Sequence, residues 1–120
     1  MPKHQRIERV LFVHFFRTQS NNEPVREWLL GLSVEDRKRI GEEIKTVELG
    51  WPLGMPLVRK MESDLWEVRI DLRARIARVL FTVLSDQMIL LHGFIKKSQE
   101  TPRPDLALAK GRLKQLKTDQ

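Results

Sequence analysis

Hydrophobic and polar positions alternate along this chain with two different periods, and the change between them falls near residue 57. Before it, "IERVLFVHFF" (7–16) is β-branched and aromatic and reads as an opening strand. "TQSNNEP" breaks that run. Pro24 suits the first turn of a helix, where its missing N–H would have had no partner, and Val25, Trp28, Leu29 and Leu32 fall on one helical face. A second helix follows at once. Ser33 with Asp36 three residues later resembles a capping box with Asp in place of Glu, and Ile40, Ile44 and Val47 form an i, i+4, i+7 stripe. "GWPLGMP" closes this helix through Gly50 and Pro52. The spacing therefore predicts a helical hairpin with an apolar side to lay on a sheet.

From Leu57 to Ile95 the period is two, interrupted at Glu62–Asp64, Leu72–Arg75 and Ser85–Asp86. Three short breaks predict four strands at 57–62, 65–71, 76–84 and 87–95. Thr101, Pro102 and Pro104 then introduce a last helix over 103–117, with Leu106, Leu113 and Leu116 to one side and Lys or Arg around the rest. The expected class is α+β: an N-terminal strand, a helical hairpin, a four-stranded antiparallel meander and a C-terminal helix.

Composition limits the possibilities further. A chain of 120 residues, 41% hydrophobic, fits a single domain spanning 1–120. The absence of cysteine excludes disulfides and thiolate metal sites and suits a reducing compartment. No apolar run approaches the roughly 20 residues of a membrane helix, and "MPKHQRIERV" lacks the apolar core of a signal peptide, so a soluble, cytoplasmic protein with no membrane partner is expected. The net charge of +6 is unevenly spread: residues 1–56 hold 9 Lys/Arg against 8 Asp/Glu, and residues 57–120 hold 13 against 8. A basic field over the strand-rich half attracts polyanions or an acidic partner, although ordinary solubilising charge gives the same count.

The hairpin "LWEVRIDLRARIARVLF" (65–81) concentrates the question, because it carries Arg69, Arg73, Arg75 and Arg78. Trp66, Val68 and Ile70 share one face of their strand, while Glu67, Arg69 and Asp71 share the other. Matching apolar face to apolar face pairs Trp66 with Phe81, Val68 with Val79 and Ile70 with Ala77, which sets Arg69 directly beside Arg78. Like charges so placed cost about 0.2–1 kcal/mol, so an anion is expected nearby. A turn at Ser63–Asp64 would put Lys60 beside Glu67. A turn at Ser85–Asp86 would put Gly93 beside Arg78 and leave a hollow. In one reading Glu67 and Asp71 neutralise the arginines in an ion-pair network. In the other, Arg69 and Arg78 grip a phosphate with their forked donors. Arg78 is the lone charge in "IARVLFTVL", and "IKKSQ" brings Lys96 and Lys97 to the same hairpin.

Other conspicuous residues have plainer roles. His92 falls on the core face beside Val79 in this register and reads as a structural histidine. No two of the three histidines have ligand spacing, so no metal or other cofactor is expected. Trp28, Trp51 and Trp66 read as core anchors, with Trp51, in its Gly/Pro loop, also able to stack on a base. Arg73 and Arg75 at the hairpin tip suit contacts to RNA phosphates or simple solvent exposure.

"GWPLGMPLVRKM", "LWEVRIDL", "RIARVLF" and "LLHGFIKKSQETP", taken in order, resemble the RelE/ParE superfamily of toxins from bacterial type II toxin-antitoxin systems, in its phage-derived, HigB-like branch. The resemblance runs from about residue 7 to 116. It implies a RelE-like, microbial-RNase-like fold with a basic concave face, and cleavage of mRNA on the translating ribosome. By position it places Arg78 at the family's central strand arginine, Arg69 at the basic residue of the preceding strand, and Lys97 at the basic residue after the last strand. Glu67 lies where some relatives have lysine, and the tyrosine that assists catalysis in some members is missing, because this chain has no Tyr. The resemblance also implies a cognate antitoxin, of helix-turn-helix type.

Metal-independent cleavage of this kind drives the ribose 2′-OH onto the adjacent phosphorus and leaves a 2′,3′-cyclic phosphate and a 5′-OH. It calls for a base, for cations around the crowded phosphorane, and for a proton at the leaving oxygen. Arg69 and Arg78 would supply the charge, Lys97 would neutralise the leaving oxygen or the phosphate, and Glu67 is the side-chain carboxylate placed to act as base. Its pairing with Lys60 would make it a weak one. A ribosome that strains mRNA into line lessens the need for strong acid and base groups. Lys60, Arg73, Arg75 and Lys96 would hold the RNA. Two alternatives keep the fold: a ParE-like toxin that poisons gyrase by protein contact, and an inactive member that only binds RNA or its antitoxin.

Overall fold

A computed structural model describes residues 8–96 and 100–119. Along the chain run β1 (Phe12–Phe15), α1 (Pro24–Leu30), α2 (Val34–Gly50), β2 (Val58–Glu62), β3 (Leu65–Asp71), β4 (Ile76–Leu84), β5 (Gln87–Lys96) and α3 (Arg103–Thr118). The strands form a single sheet in the order β1-β5-β4-β3-β2. The expected meander β2 to β5 is present, but β1 joins it in parallel alongside β5, with Phe12 opposite Gln87 and Phe15 opposite Leu90, so the sheet is five-stranded and mixed. β1 is also shorter than the run 7–16. The Val10 and Leu11 N–H groups donate instead to the Glu48 carbonyl of α2 at 2.8 and 3.0 Å, and the Val13 N–H donates to Glu48 Oε2 at 2.9 Å. Backbone donors taken up by a helix end are unavailable to a sheet ladder.

The helical hairpin forms as its sequence signals direct. Pro24 opens α1, and Ser33 Oγ accepts the Asp36 N–H at 3.1 Å, the forward half of a capping box. Ile40, Ile44 and Val47 are all buried. They meet Val58, Val68, Ile70, Ala77, Val79, Phe81, Met88 and Leu90 on one face of the sheet. The C-terminal helix takes the opposite face, where Ala109 and Leu113 pack on Leu65, Leu80, Ile89, Leu91 and Phe94. Burial from both sides explains why "IARVLFTVL" is nearly all apolar: β4 is the central strand of a sheet that has helices on both faces.

Two irregularities decide what faces where. One lies in β2 between Lys60 and Glu62, the other at the step from Leu80 to Phe81 in β4 against β5. A one-residue slip sends every following side chain to the other face. Gly93 is thus opposite Val79 rather than Arg78, and its missing side chain makes room for Trp28, whose Cε3 would be 2.3 Å from an added Cβ. His92 is opposite Leu80 rather than Val79 and points to α3, with Nε2 2.7 Å from Asp105 Oδ1. Arg112 of α3 donates to the Leu91 carbonyl at 2.8 Å and lies 3.4 Å from His92 Nδ1. The expected turns are in place: Asp64 and Ser85 take left-handed backbone angles, with φ of 61° and 55°. Among the described residues no helix is long and apolar enough to cross a membrane.

Candidate active site

The face of the sheet that receives α3 changes character along its length. At one end it is apolar and covered by the helix. Towards the β3–β4 loop it carries Glu67, Arg69 and Asp71 from β3, Arg78 from β4, Arg59 from β2 and Lys96 from β5. The pairing of β3 with β4 is regular, and Arg69 stands opposite Arg78 as the alternation predicts.

Arg78 is 2% exposed, with Nε 3.5 Å from Glu67 Oε1 and Nη1 donating to the Ala77 carbonyl at 2.9 Å. Burial pulls its pKa below the ordinary arginine value; Glu67 opposes that shift and Arg69 adds to it. An arginine does not lose its proton in a protein, so the practical result is a poorly hydrated, permanent positive charge. Glu67 is itself 1% exposed. Its second oxygen, Oε2, accepts a hydrogen bond from the Thr101 hydroxyl, just ahead of α3. Oε2 is thus hydrogen-bonded, while Oε1 faces Arg78 in a long ion pair that leaves Arg78 Nε without a hydrogen-bond partner among the described residues; Glu67 is buried as a counter-ion to Arg78, where an RNA-facing base was expected.

Beside this pair is a small hollow of about 130 Å³ lined by Pro56, Arg69, Asp71 and Arg78. It has several times the roughly 30 Å³ of one liquid water. Arg69 is half-buried on its rim, and its Nη1 lies 3.4 Å from Met55 Sδ. A second opening, of about 410 Å³, adjoins it, lined by Asp71, Leu72, Ala74, Arg75, Ile76 and Lys96. Lys96 is 4% exposed, and burial, reinforced by Arg78, holds its pKa below the usual 10.5.

Of the other residues expected here, Lys60 is not on this face. The β2 bulge turns it to the opposite side, opposite Trp66, with Nζ 6.0 Å from the indole centroid. Arg59 takes the place across from Glu67. Arg75 reaches past the hairpin tip to form an ion pair with Asp36 of α2, so it braces the tip as well as lining the larger opening. Arg73, exposed, lines a further depression with Asp71, Leu72 and the charged side chains of α2 from Glu35 to Glu42, basic Lys38 and Arg39 among them. Lys97 lies outside the described residues. Trp51 is packed edge-on against Trp66 and Phe81, at 5.1 and 5.6 Å between centroids, which leaves it a core anchor and no platform for a base.

Three participants escaped the sequence reading. Asp71 is the third member of the Glu67, Arg69, Asp71 alternation, which by itself assigns it no more than a neutralising charge. Arg59 was hidden by the bulge. Thr101 reaches Glu67 across 34 positions of sequence, with no local signal.

The protein is thus an α+β domain whose mixed sheet holds a buried arginine and a half-buried one around a hollow open to solvent. The chain belongs to the family described as phage derived protein Gp49-like (DUF891), whose model matches residues 27–114 and so takes in every residue of this site. No curated protein gives a significant match.

Proposed function

We propose that this protein is the toxin of a type II toxin-antitoxin system, with a RelE-like fold, and that it cleaves mRNA on the ribosome without a metal and so arrests translation. The observation that carries the proposal is the Arg69–Arg78 pair: two guanidinium groups on adjacent strands, one desolvated, facing a hollow of phosphate size. Juxtaposed like charges at an open cavity favour an anionic ligand, and the desolvated one interacts more strongly than it would in water. In this reading Arg69 and Arg78 hold the scissile phosphate and stabilise the phosphorane, Glu67 keeps Arg78 in place, and Lys96 and Lys97 draw in the backbone. Membership of a phage-derived family and the resemblance to HigB-like toxins point the same way. A helix-turn-helix antitoxin is the partner this reading requires.

The Glu67–Arg78 pair favours a second reading, in which the arginine is scaffold and the basic face only binds an acidic partner, as in a gyrase-directed toxin. Expression in growing cells with mapping of new mRNA 5′ ends separates the two. Because Arg69 is half-buried and outside the Glu67 pair, R69A should stay folded and lose cutting. Growth arrest without new 5′ ends, or cutting undiminished in R69A, would remove the ribonuclease reading.

A further inference from the structure

Asp71 lines both openings at the arginine end of the sheet, the hollow of about 130 Å³ with Arg69 and Arg78 and the bay of about 410 Å³ with Leu72, Ala74, Ile76 and Lys96. Among the described residues its side chain makes no hydrogen bond and no ion pair, although Arg69, Arg78, Arg75 and Lys96 line the same two openings. Glu67, two turns of the alternation away, is the opposite case, buried, hydrogen-bonded to Thr101 and ion-paired with Arg78. Asp71 is thus an exposed carboxylate on the wall shared by these two cavities, its charge felt by Arg78 but its oxygens in no direct contact with a cation among the described residues.

A ribonucleotide offers a part to each cavity. Its ribose joins base to phosphate, and its 2′-OH projects beside the 3′-phosphate. With the scissile phosphate in the arginine hollow and the preceding base against the apolar walls of Leu72, Ala74 and Ile76, the ribose lies over the partition between them, where Asp71 is. We infer that Asp71 is the catalytic residue that accepts the 2′-OH proton, and that the adjoining bay holds the base on the 5′ side of the cut. This inference rests on the ribonuclease reading above. As the Asp71 carboxylate takes the proton, the 2′-oxygen bonds to phosphorus and the bond from phosphorus to the 5′-oxygen breaks. The departing oxygen takes a proton from water, giving a 2′,3′-cyclic phosphate and a 5′-OH, and Asp71 returns its proton to solvent. Leu72, Ala74 and Ile76 would hold the base by contact area, with Arg75 and Lys96 as the cations at the edge of the same bay.

The test is single-turnover cleavage by the full chain, with mRNA in the ribosomal A site and, in parallel, with the same RNA free. Wild type, D71N and D71E are compared, and binding is measured separately with RNA carrying a 2′-O-methyl group at the cut. Asp71 is exposed, so D71N should melt with the wild type. General-base removal lowers kcat by roughly 100-fold or more. D71N should show that loss while binding the 2′-O-methyl RNA within about twofold of wild type, and D71E should recover part of the rate. A D71N rate within about threefold of wild type overturns the inference, as does a loss confined to binding, or an altered base preference at full rate. Those failures leave wild-type cleavage standing. A wild type that cuts neither substrate fails the ribonuclease reading itself, and the inference falls with it.

Discussion

Of the glycines, Gly93 has the least room for a side chain, because Trp28 lies against it, and this makes a quantitative prediction. A Cβ built on Gly93 would be 2.3 Å from Trp28 Cε3 and 2.4 Å from Cζ3, where ordinary contact begins at 3.4 Å. In G93A the indole would have to retreat by about 1 Å, and the atoms it meets belong to the ring body, not to a flexible tip. The ring is wedged between α1 and β5, and overpacking of a filled core costs about 1–3 kcal/mol. G93A belongs at the upper end, about 3 kcal/mol, a large share of the roughly 5–15 kcal/mol typical of a domain. At about 2.1 cal/mol/K of unfolding entropy per residue, 1 kcal/mol shifts the Tm of a chain this long by about 4 °C, so G93A should melt about 12 °C low. Urea titration of G93A, W28L and G93A/W28L checks the cause. W28L vacates the space, so the alanine should cost little in that background, and the two variants should couple by about 2–3 kcal/mol. G93A within about 0.5 kcal/mol of wild type, or strictly additive costs, would refute the steric account.

Removing the carboxylate in E67A strands the buried Arg78 charge and should cost about 3–5 kcal/mol by urea denaturation, while E67M/R78M, which removes both charges, should be less damaged than E67A. Lys96 gives a pH dependence of definite sign. Its folded pKa is depressed, so at neutral pH both states carry the proton and the burial penalty is complete; as pH rises through the folded pKa the native state sheds the proton first, and stability increases until the unfolded value of 10.5 is reached. NMR titration of the Lys96 side chain should place its pKa below 10.5 and, in R69A, move it upward, since Arg69 contributes to the depression. Gly41 and Gly111 are exposed within α2 and α3, and an added Cβ meets nothing within 4 Å, so G41A and G111A should each stabilise by about 0.5–1 kcal/mol in thermal melts.

The hairpin of β3 and β4 was legible in the sequence because both strands alternate cleanly and their pairing contains no bulge, so aligning Trp66 with Phe81 carried Arg69 to Arg78 without error. The flanking strands were less legible. Counting residues assumes unbroken pairing and so puts Lys60, Gly93 and His92 on the wrong side, because the irregularities at Lys60/Glu62 and Leu80/Phe81 change the count by one. Nothing in "VRKME" separates a strand with a bulge from one without. The parallel docking of β1 was hidden for a different reason: it depends on Glu48, far along the chain, taking the donors of Val10, Leu11 and Val13. Site chemistry followed the same division. The alternation places Glu67, Arg69, Asp71 and Arg78 on one face, but the hydrogen bond from Thr101 to Glu67 is one that no short-range pattern connects.

Both irregularities flank the arginine-bearing hairpin and neither interrupts it. Relatives that gain or lose one residue in β2 or β5 can therefore absorb the change at these joints while the two guanidinium groups keep their separation. The strands on either side of the hairpin then become the adjustable part of the binding surface, free to trade an arginine for a lysine or a histidine for a glycine beside a fixed pair. Sequence divergence should collect there first.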